Sequence, residues 1–363
     1  MALRCGIVGL PNVGKTTIFN ALTSAGARVE NYEFCTIDPN EGVVYVPDQR
    51  LWNLADLVDH EKVRRTSLEF VDVAGLVEGA AKHGRGKGAE FLANIRDTDA
   101  VIHVVRLFRD PEVIASHATL DPIRDAEIVN LELVCADLGT VSRRMEKTSK
   151  LARVGDKKAA AETALLKSIF DHLDQGLPAR TLPKEVIEET SHMGLLSAKP
   201  IVYVGNVSED QLSDSTAMQP LLSFAERNKS PCLYICGKLE AEIALLEDDT
   251  DRNTFLTEMG LDESGLDRLV RTAYDKLQLI TFYTIVGSEI GSWTIKRGTK
   301  TPVAAGKIHT DMERGFIKAE VIGYDDFICC GGEPRAKEMG LVRIEGRDYQ
   351  IKDGDVVRFR FNI

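Results

Sequence analysis

The run Gly9-Leu10-Pro11-Asn12-Val13-Gly14-Lys15-Thr16 satisfies GxxxxGK[ST] at each required position, between an apolar stretch at 3–8 and a helical pattern at 16–24. In such a loop the glycines let backbone N–H groups turn inward around phosphate oxygens, and Lys15 sets a point charge against the outer phosphates. The Thr16 hydroxyl is in reach of a magnesium ion. Asn12, Val13, Gly14, Lys15, Thr16 and Thr17 are therefore the candidate phosphate-binding residues, with Lys15 also a candidate catalytic group. Asp72-Val73-Ala74-Gly75 closes a second apolar run, 56 residues beyond Thr16. A carboxylate at a strand end, followed by glycine, is the arrangement that holds Mg2+ through a water and senses a terminal phosphate, so Asp72 is a candidate metal residue and Gly75 a candidate catalytic one. Thr36, in the polar stretch after the first helix, is the candidate switch residue whose hydroxyl joins the metal when the terminal phosphate is present.

The base is read elsewhere. A guanine site of this kind carries Asn-Lys-x-Asp after its fifth strand, the acid accepting two N–H bonds from guanine. Here Asn206-Val207-Ser208-Glu209 stands in that place. Valine replaces the lysine and the acid is one methylene longer, so the paired-acceptor geometry is lost and ATP is expected over GTP. Asn206, Val207 and Glu209 are the candidate base-binding residues. Leu76 follows Gly75 where related enzymes place a water-orienting glutamine, so slow intrinsic hydrolysis is expected. Asn12 is placed to ligate K+ as a substitute for an arginine finger. The glycine-rich stretch at 79–88, with His83, Arg85 and Lys87, reads as a second switch or as a solvated loop.

These groups need an α/β sheet to hold them, and the pattern supplies one. Strand-like runs at 3–8, 43–46, 68–73 and 100–105 alternate with helical ones, and the rhythm resumes at 201–205, 232–236 and 266–279. Between them Ile128, Leu131, Cys135, Leu138, Ser142, Met145 and Ala152 trace one helical stripe, Leu165, Ile169, Phe170 and Leu173 a second, with a turn at Gly155-Asp156. A helical hairpin thus interrupts the first domain. From Thr281 short strands with frequent glycines follow, at 282–286, 293–295, 319–322, 349–351 and 356–361. The expected partition is 1–124 with 199–275, an insertion at 125–198, and a last domain at 276–363.

The chain has 363 residues, 45 basic against 56 acidic, and a net charge of −11, which excludes a protein that coats nucleic acid with its whole surface. That average hides a local reversal. Arg143, Arg144, Lys147, Lys150, Arg153, Lys157 and Lys158 face only Glu146 and Asp156 at the hairpin tip, which suits either a phosphate backbone or a solvated helix face. Lys307, Arg314 and Lys318 are basic candidates in the last domain. The seven cysteines show no CxxC pair, no apolar stretch approaches membrane-spanning length, and a cytoplasmic location is expected.

The segments LPNVGKTT (10–17), FCTIDPN (34–40), FVDVAGLVEGA (70–80), FLANIRDTDA (91–100), NVSE (206–209), IHTDMERGFIKAEV (308–321) and DGDVVRF (353–359) resemble the YchF family of Obg-like ATPases, over essentially the whole chain. The resemblance implies a P-loop NTPase of the Obg-type G domain, a coiled-coil insertion and a C-terminal β-grasp TGS domain. It also implies Mg2+-dependent ATP hydrolysis and a ribosome or RNA partner, through the large subunit, in translation or stress regulation. A loop histidine that the family uses in hydrolysis aligns here with Ala115, and His117 is either a shifted equivalent or an ordinary loop histidine. The leading expectation is a monomeric ATP-driven switch that presents the helical arm and the TGS domain to the ribosome. The alternatives are a nucleotide-responsive RNA-binding module in which hydrolysis is incidental, or a GTPase with relaxed base specificity.

Overall fold

The computed structural model describes residues 3–27, 40–73, 87–110, 120–213, 215–246 and 248–362. The described strands are β1 (Arg4–Val8), β2 (Glu41–Tyr45), β3 (Lys62–Arg64), β4 (Ser67–Asp72), β5 (Ala100–Arg106), β6 (Ile201–Asn206), β7 (Cys232–Ile235), β8 (Leu279–Val286), β9 (Glu289–Lys296), β10 (Phe316–Ile322), β11 (Arg343–Glu345) and β12 (Val356–Phe361). The helices up to residue 245 are α1 (Lys15–Ala27), α2 (Gln49–Ala55), α3 (Lys87–Arg96), α4 (Pro122–Arg153), α5 (Lys157–Asp174), α6 (Lys184–Glu189), α7 (Ser215–Arg227) and α8 (Gly237–Leu245), among the described residues and apart from 3-10 turns.

The chain divides into two compact units, Met1–Val44 with Glu69–Leu269, and Tyr45–Leu68 with Val270–Ile363. The first unit is built on a six-stranded sheet in the order β2-β4-β1-β5-β6-β7. The pairs β4–β1, β1–β5, β5–β6 and β6–β7 are parallel. Every residue of β5 and β6 is buried, as expected for central strands of a parallel sheet covered on both faces. Phosphate-binding loops of this class sit at the carboxyl ends of such strands, where loop length can vary without disturbing the ladder.

The arm is the expected helical hairpin. Asp121 caps α4, accepting from the Arg124 N–H at 3.1 Å, with Pro122 in the first turn where its missing donor costs nothing. The chain reverses at Gly155, whose φ of +93° favours glycine, and Asp156 caps α5 by accepting from Lys158 N and Ala159 N. Val134, Val141, Leu166, Ile169 and Leu173 form its core. The packed face of α4 differs from the expected stripe: Leu131 and Cys135 are exposed, while Asn130, Asp137 and Thr148 are buried. The reason is polar pairing. Asp137 accepts from Leu196 N at 2.8 Å, Ser197 N at 2.7 Å and Ser197 Oγ at 2.6 Å, so a carboxylate that reads as surface is an interior cap.

The second unit carries a sheet ordered β11-β10-β12-β8-β9-β3, with an antiparallel β8–β9 hairpin and β12 parallel to β8. Its membership corrects the expected partition. Residues 45–68 belong here rather than with the first domain, because β3 pairs in parallel with β9 and Leu51, Leu54 and Ala55 of α2 bury against Tyr283, Ile290 and Phe327. Within the unit the short strand β11 has no pattern of its own in the sequence, and the expected strand at 349–351 contributes an isolated bridge, Lys300 to Gln350. Among the described residues no helix is long and apolar enough to cross a membrane.

Candidate nucleotide site

The phosphate loop follows β1 directly, and two of its glycines are required by space. A Cβ on Gly9 would lie 2.4 Å from the Val104 carbonyl oxygen, and one on Gly14, whose φ is +93°, would lie 2.2 Å from Asn206 Nδ2. Asn12 sits at φ +62°, a left-handed conformation that asparagine tolerates. With this backbone the loop opens onto the N-terminus of α1, where free N–H groups and the helix dipole favour an anion.

Lys15 is buried and its Nζ donates to the Leu10 carbonyl at 2.8 Å, so the ammonium arches over the loop it belongs to. Burial pushes its pKa down and the Asp72 carboxylate works against that shift. Thr16 Oγ1 donates to Asp72 Oδ2 at 2.9 Å. A hydroxyl and a carboxylate brought together beside a loop for phosphates form an all-oxygen donor set, the kind a hard cation such as Mg2+ takes while keeping several waters. Thr17 is exposed beside them.

Asn206, at the end of β6, fastens this site from below. Its Nδ2 donates to the Val13 carbonyl at 2.9 Å, and its Oδ1 accepts from Gly237 N at 3.0 Å. One amide therefore ties the phosphate loop to the turn between β7 and α8. It still has one N–H and one lone pair to offer a base. The side chain of Val207 is buried, while Glu209 is exposed at the start of a 3-10 turn, Glu209–Ser213. Thr36, Gly75 and His117 lie outside the described residues, as do Leu76, Ala115, His83 and Arg85.

Gly237 was not singled out by the sequence. A Cβ there would press to 3.3 Å on Asn206 Oδ1 and on Ile18 Cγ1, so a larger residue would have to shift the side chains against which the Gly237 N–H meets the amide. The available signal was a glycine directly after the apolar run 232–236 and before a helix.

Residues 4–132 match a family model described as "50S ribosome-binding GTPase", and residues 279–362 match the YchF-GTPase_C model, described as "Protein of unknown function (DUF933)". The protein of Bacillus subtilis (strain 168) named Ribosome-binding ATPase YchF is 46% identical, with all of both chains aligned. The protein of the same name from Escherichia coli O157:H7 is 45% identical, again over the whole of both chains. Among solved structures, the Schizosaccharomyces pombe YchF GTPase superposes with a TM-score of 0.89 at 31% identity, covering 99% of this chain and 97% of that one. Full-length identity of this size, on a sheet and phosphate loop of the same kind, places the chain in the YchF family.

Proposed function

We propose that the chain is a Mg2+-dependent ATPase that binds ribosomes and uses nucleotide state to control that contact. The observation that carries this reading is the 2.9 Å contact between Thr16 Oγ1 and Asp72 Oδ2 at the mouth of the phosphate loop, with Lys15 beside it. Lys15 exchanges the Leu10 carbonyl for the outer phosphates, Thr16 and Asp72 hold Mg2+, the latter through water, and Val13 to Thr17 supply backbone N–H groups. When bound, Mg2+ neutralises the charge that develops on the transferred phosphoryl group. Thr36 and Gly75 serve as the γ-phosphate sensors, and His117 is a further catalytic candidate.

Asn206, Val207 and Glu209 form the base site, with ATP preferred to GTP for the reason given above. Relatives carry both words in their names, ATPase in bacteria and GTPase in S. pombe, so the base is the point to measure. Asn12 is the candidate K+ ligand. The arm tip, with seven exposed cations, and the second unit, read as a TGS-type β-grasp domain, are the ribosome or RNA contacts, directed at the large subunit. The protein acts as a cytoplasmic monomer in translation or stress regulation.

The test is side-by-side titration and hydrolysis of ATP and GTP, with and without Mg2+ and ribosomes, in sodium and in potassium buffers. The expected result is tighter ATP binding, turnover lost in Lys15→Ala and Asp72→Asn, and stimulation by ribosomes. Tighter GTP binding would overturn the base assignment, and equal turnover in sodium and potassium would remove the role of Asn12.

A further inference from the structure

A cation held by neutral acceptors ties the arm to the sheet. Arg180 stands in a 3-10 turn, Ala179–Thr181, at the foot of the arm. Its Nη2 donates to Asn130 Oδ1 at 2.8 Å, to the Tyr203 hydroxyl at 2.9 Å and to Asn228 Oδ1 at 3.3 Å, and its Nη1 to the Ser197 carbonyl at 3.3 Å. All four acceptors are neutral, and among the described residues no carboxylate lies within ion-pair distance. Nε is buried and, among the described residues, has no hydrogen-bond partner. Asn130, Tyr203 and Asn228 are themselves buried, and Asn130 Nδ2 also donates to the Tyr203 hydroxyl at 2.9 Å. Beside Tyr203, with ring centroids 5.3 Å apart, lies His103, fully buried and held neutral: burial first, then the charges of Arg180 and Lys15, push its pKa down to about 3.

This junction gathers α4, the 3-10 turn carrying Arg180, β6 and the end of α7 at one point. Three residues further along β6 is Asn206. Side chains alternate along a strand, so Tyr203 and Asn206 leave opposite faces of the sheet, one toward the arm's foot and the other into the phosphate loop and the Gly237 turn. His103 is the register partner of Tyr203 on one side and of Val8, the residue before Gly9, on the other. With neutral acceptors rather than a carboxylate around it among the described residues, the guanidinium is held by directional hydrogen bonds to α4, β6 and the end of α7, which limits sliding of the arm past β6.

We propose that Arg180 and Tyr203 are positioning residues that couple the arm to the nucleotide site through β6, so that a load on the arm tip is felt by Asn206 and hence by the phosphate loop. The inference rests on the ribosome-binding ATPase reading. It assigns the coupling to this junction rather than to the second unit.

The experiment compares wild type with Tyr203→Phe, which removes one hydroxyl and keeps the ring, and with Arg180→Met, each shown to be folded by its thermal transition. Basal and ribosome-stimulated kcat and KM for ATP are measured, together with ribosome affinity in ATP and in ADP. Both variants are expected to keep basal kcat and KM within about twofold, and to lose about fivefold or more of the stimulation and of the ATP-to-ADP difference in affinity. Unchanged stimulation in the folded variants, or basal and stimulated rates falling in parallel, overturns the coupling. A wild-type protein that neither binds ribosomes nor responds to them overturns the functional reading itself, an outcome distinct from the first two.

Discussion

The two ends of the helical arm handle positive charge in opposite ways. At the tip seven lysines and arginines stand in water, and of these Arg144 is paired, with Glu162 at 2.7 Å. At the foot one arginine is folded among neutral acceptors, with a neutral histidine close by. Exposed charges act over a Debye length and are screened by salt, whereas the foot acts through short directional bonds that salt scarcely touches. The arm thus carries solvated charge at one end and directional polar bonds at the other, the division that the proposed lever requires.

Unfolding in urea gives the largest contrast. Arg180→Ala is expected to cost about 2–4 kcal/mol, because Asn130, Tyr203 and Asn228 lose their shared donor inside the protein. Arg143→Ala at the tip should stay within about 0.5 kcal/mol. Equal costs at the two positions would erase the distinction.

Proton linkage at the foot comes next. His103 titrates near 6.5 when unfolded and at about 3 in the fold, so between those values the unfolded chain binds the extra proton and the native state loses stability as pH falls. The slope is about 1.4 kcal/mol per pH unit below 6.5. His103→Gln removes it, and the stability difference between variant and wild type should therefore shift by about 2 kcal/mol in the variant's favour between pH 6.5 and 5. A difference that stays flat would mean that the imidazole is not held neutral.

The tip is tested by salt. Replacing Lys147, Lys150 and Arg153 by alanine should weaken ribosome or RNA binding about tenfold at low salt and make the slope of log K against log salt shallower by about 2, with basal hydrolysis unchanged. A slope unaltered by the triple substitution would move the phosphate contact elsewhere. The smallest effect belongs to Arg144→Ala, which removes the exposed bridge to Glu162 and should change stability by less than about 0.5 kcal/mol.

The tip and the phosphate loop were legible for the same reason: their chemistry is carried by residues adjacent in the chain or set at helical spacing. Gly9, Gly14, Lys15 and Thr16 define a loop almost by themselves, and Asp72 was recognisable because a strand end followed by glycine is where the partner of Thr16 belongs. The foot was not legible. Asn130, Asp137 and Arg180 are residue types that usually face water, so apolar spacing places the helical stripe on Leu131 and Cys135, which the fold exposes. Only when Ser197 and Leu196 return beside α4 does the carboxylate of Asp137 acquire its three donors. The segment at 45–68 misled for a related reason: its short strand has no pattern of its own and is defined by its partner β9, more than 220 residues later.

The sequence by itself determined the phosphate-type loop, the pairing of Thr16 with Asp72, the helical hairpin and the charge at its tip, because each depends on local backbone geometry or on one-dimensional spacing. The tertiary structure decided which amide fastens the loop, which unit receives residues 45–68, and where a half-buried guanidinium finds its acceptors. Those outcomes depend on polar groups far apart in the chain being desolvated together, and a polar side chain is stable inside only when the fold delivers its partner.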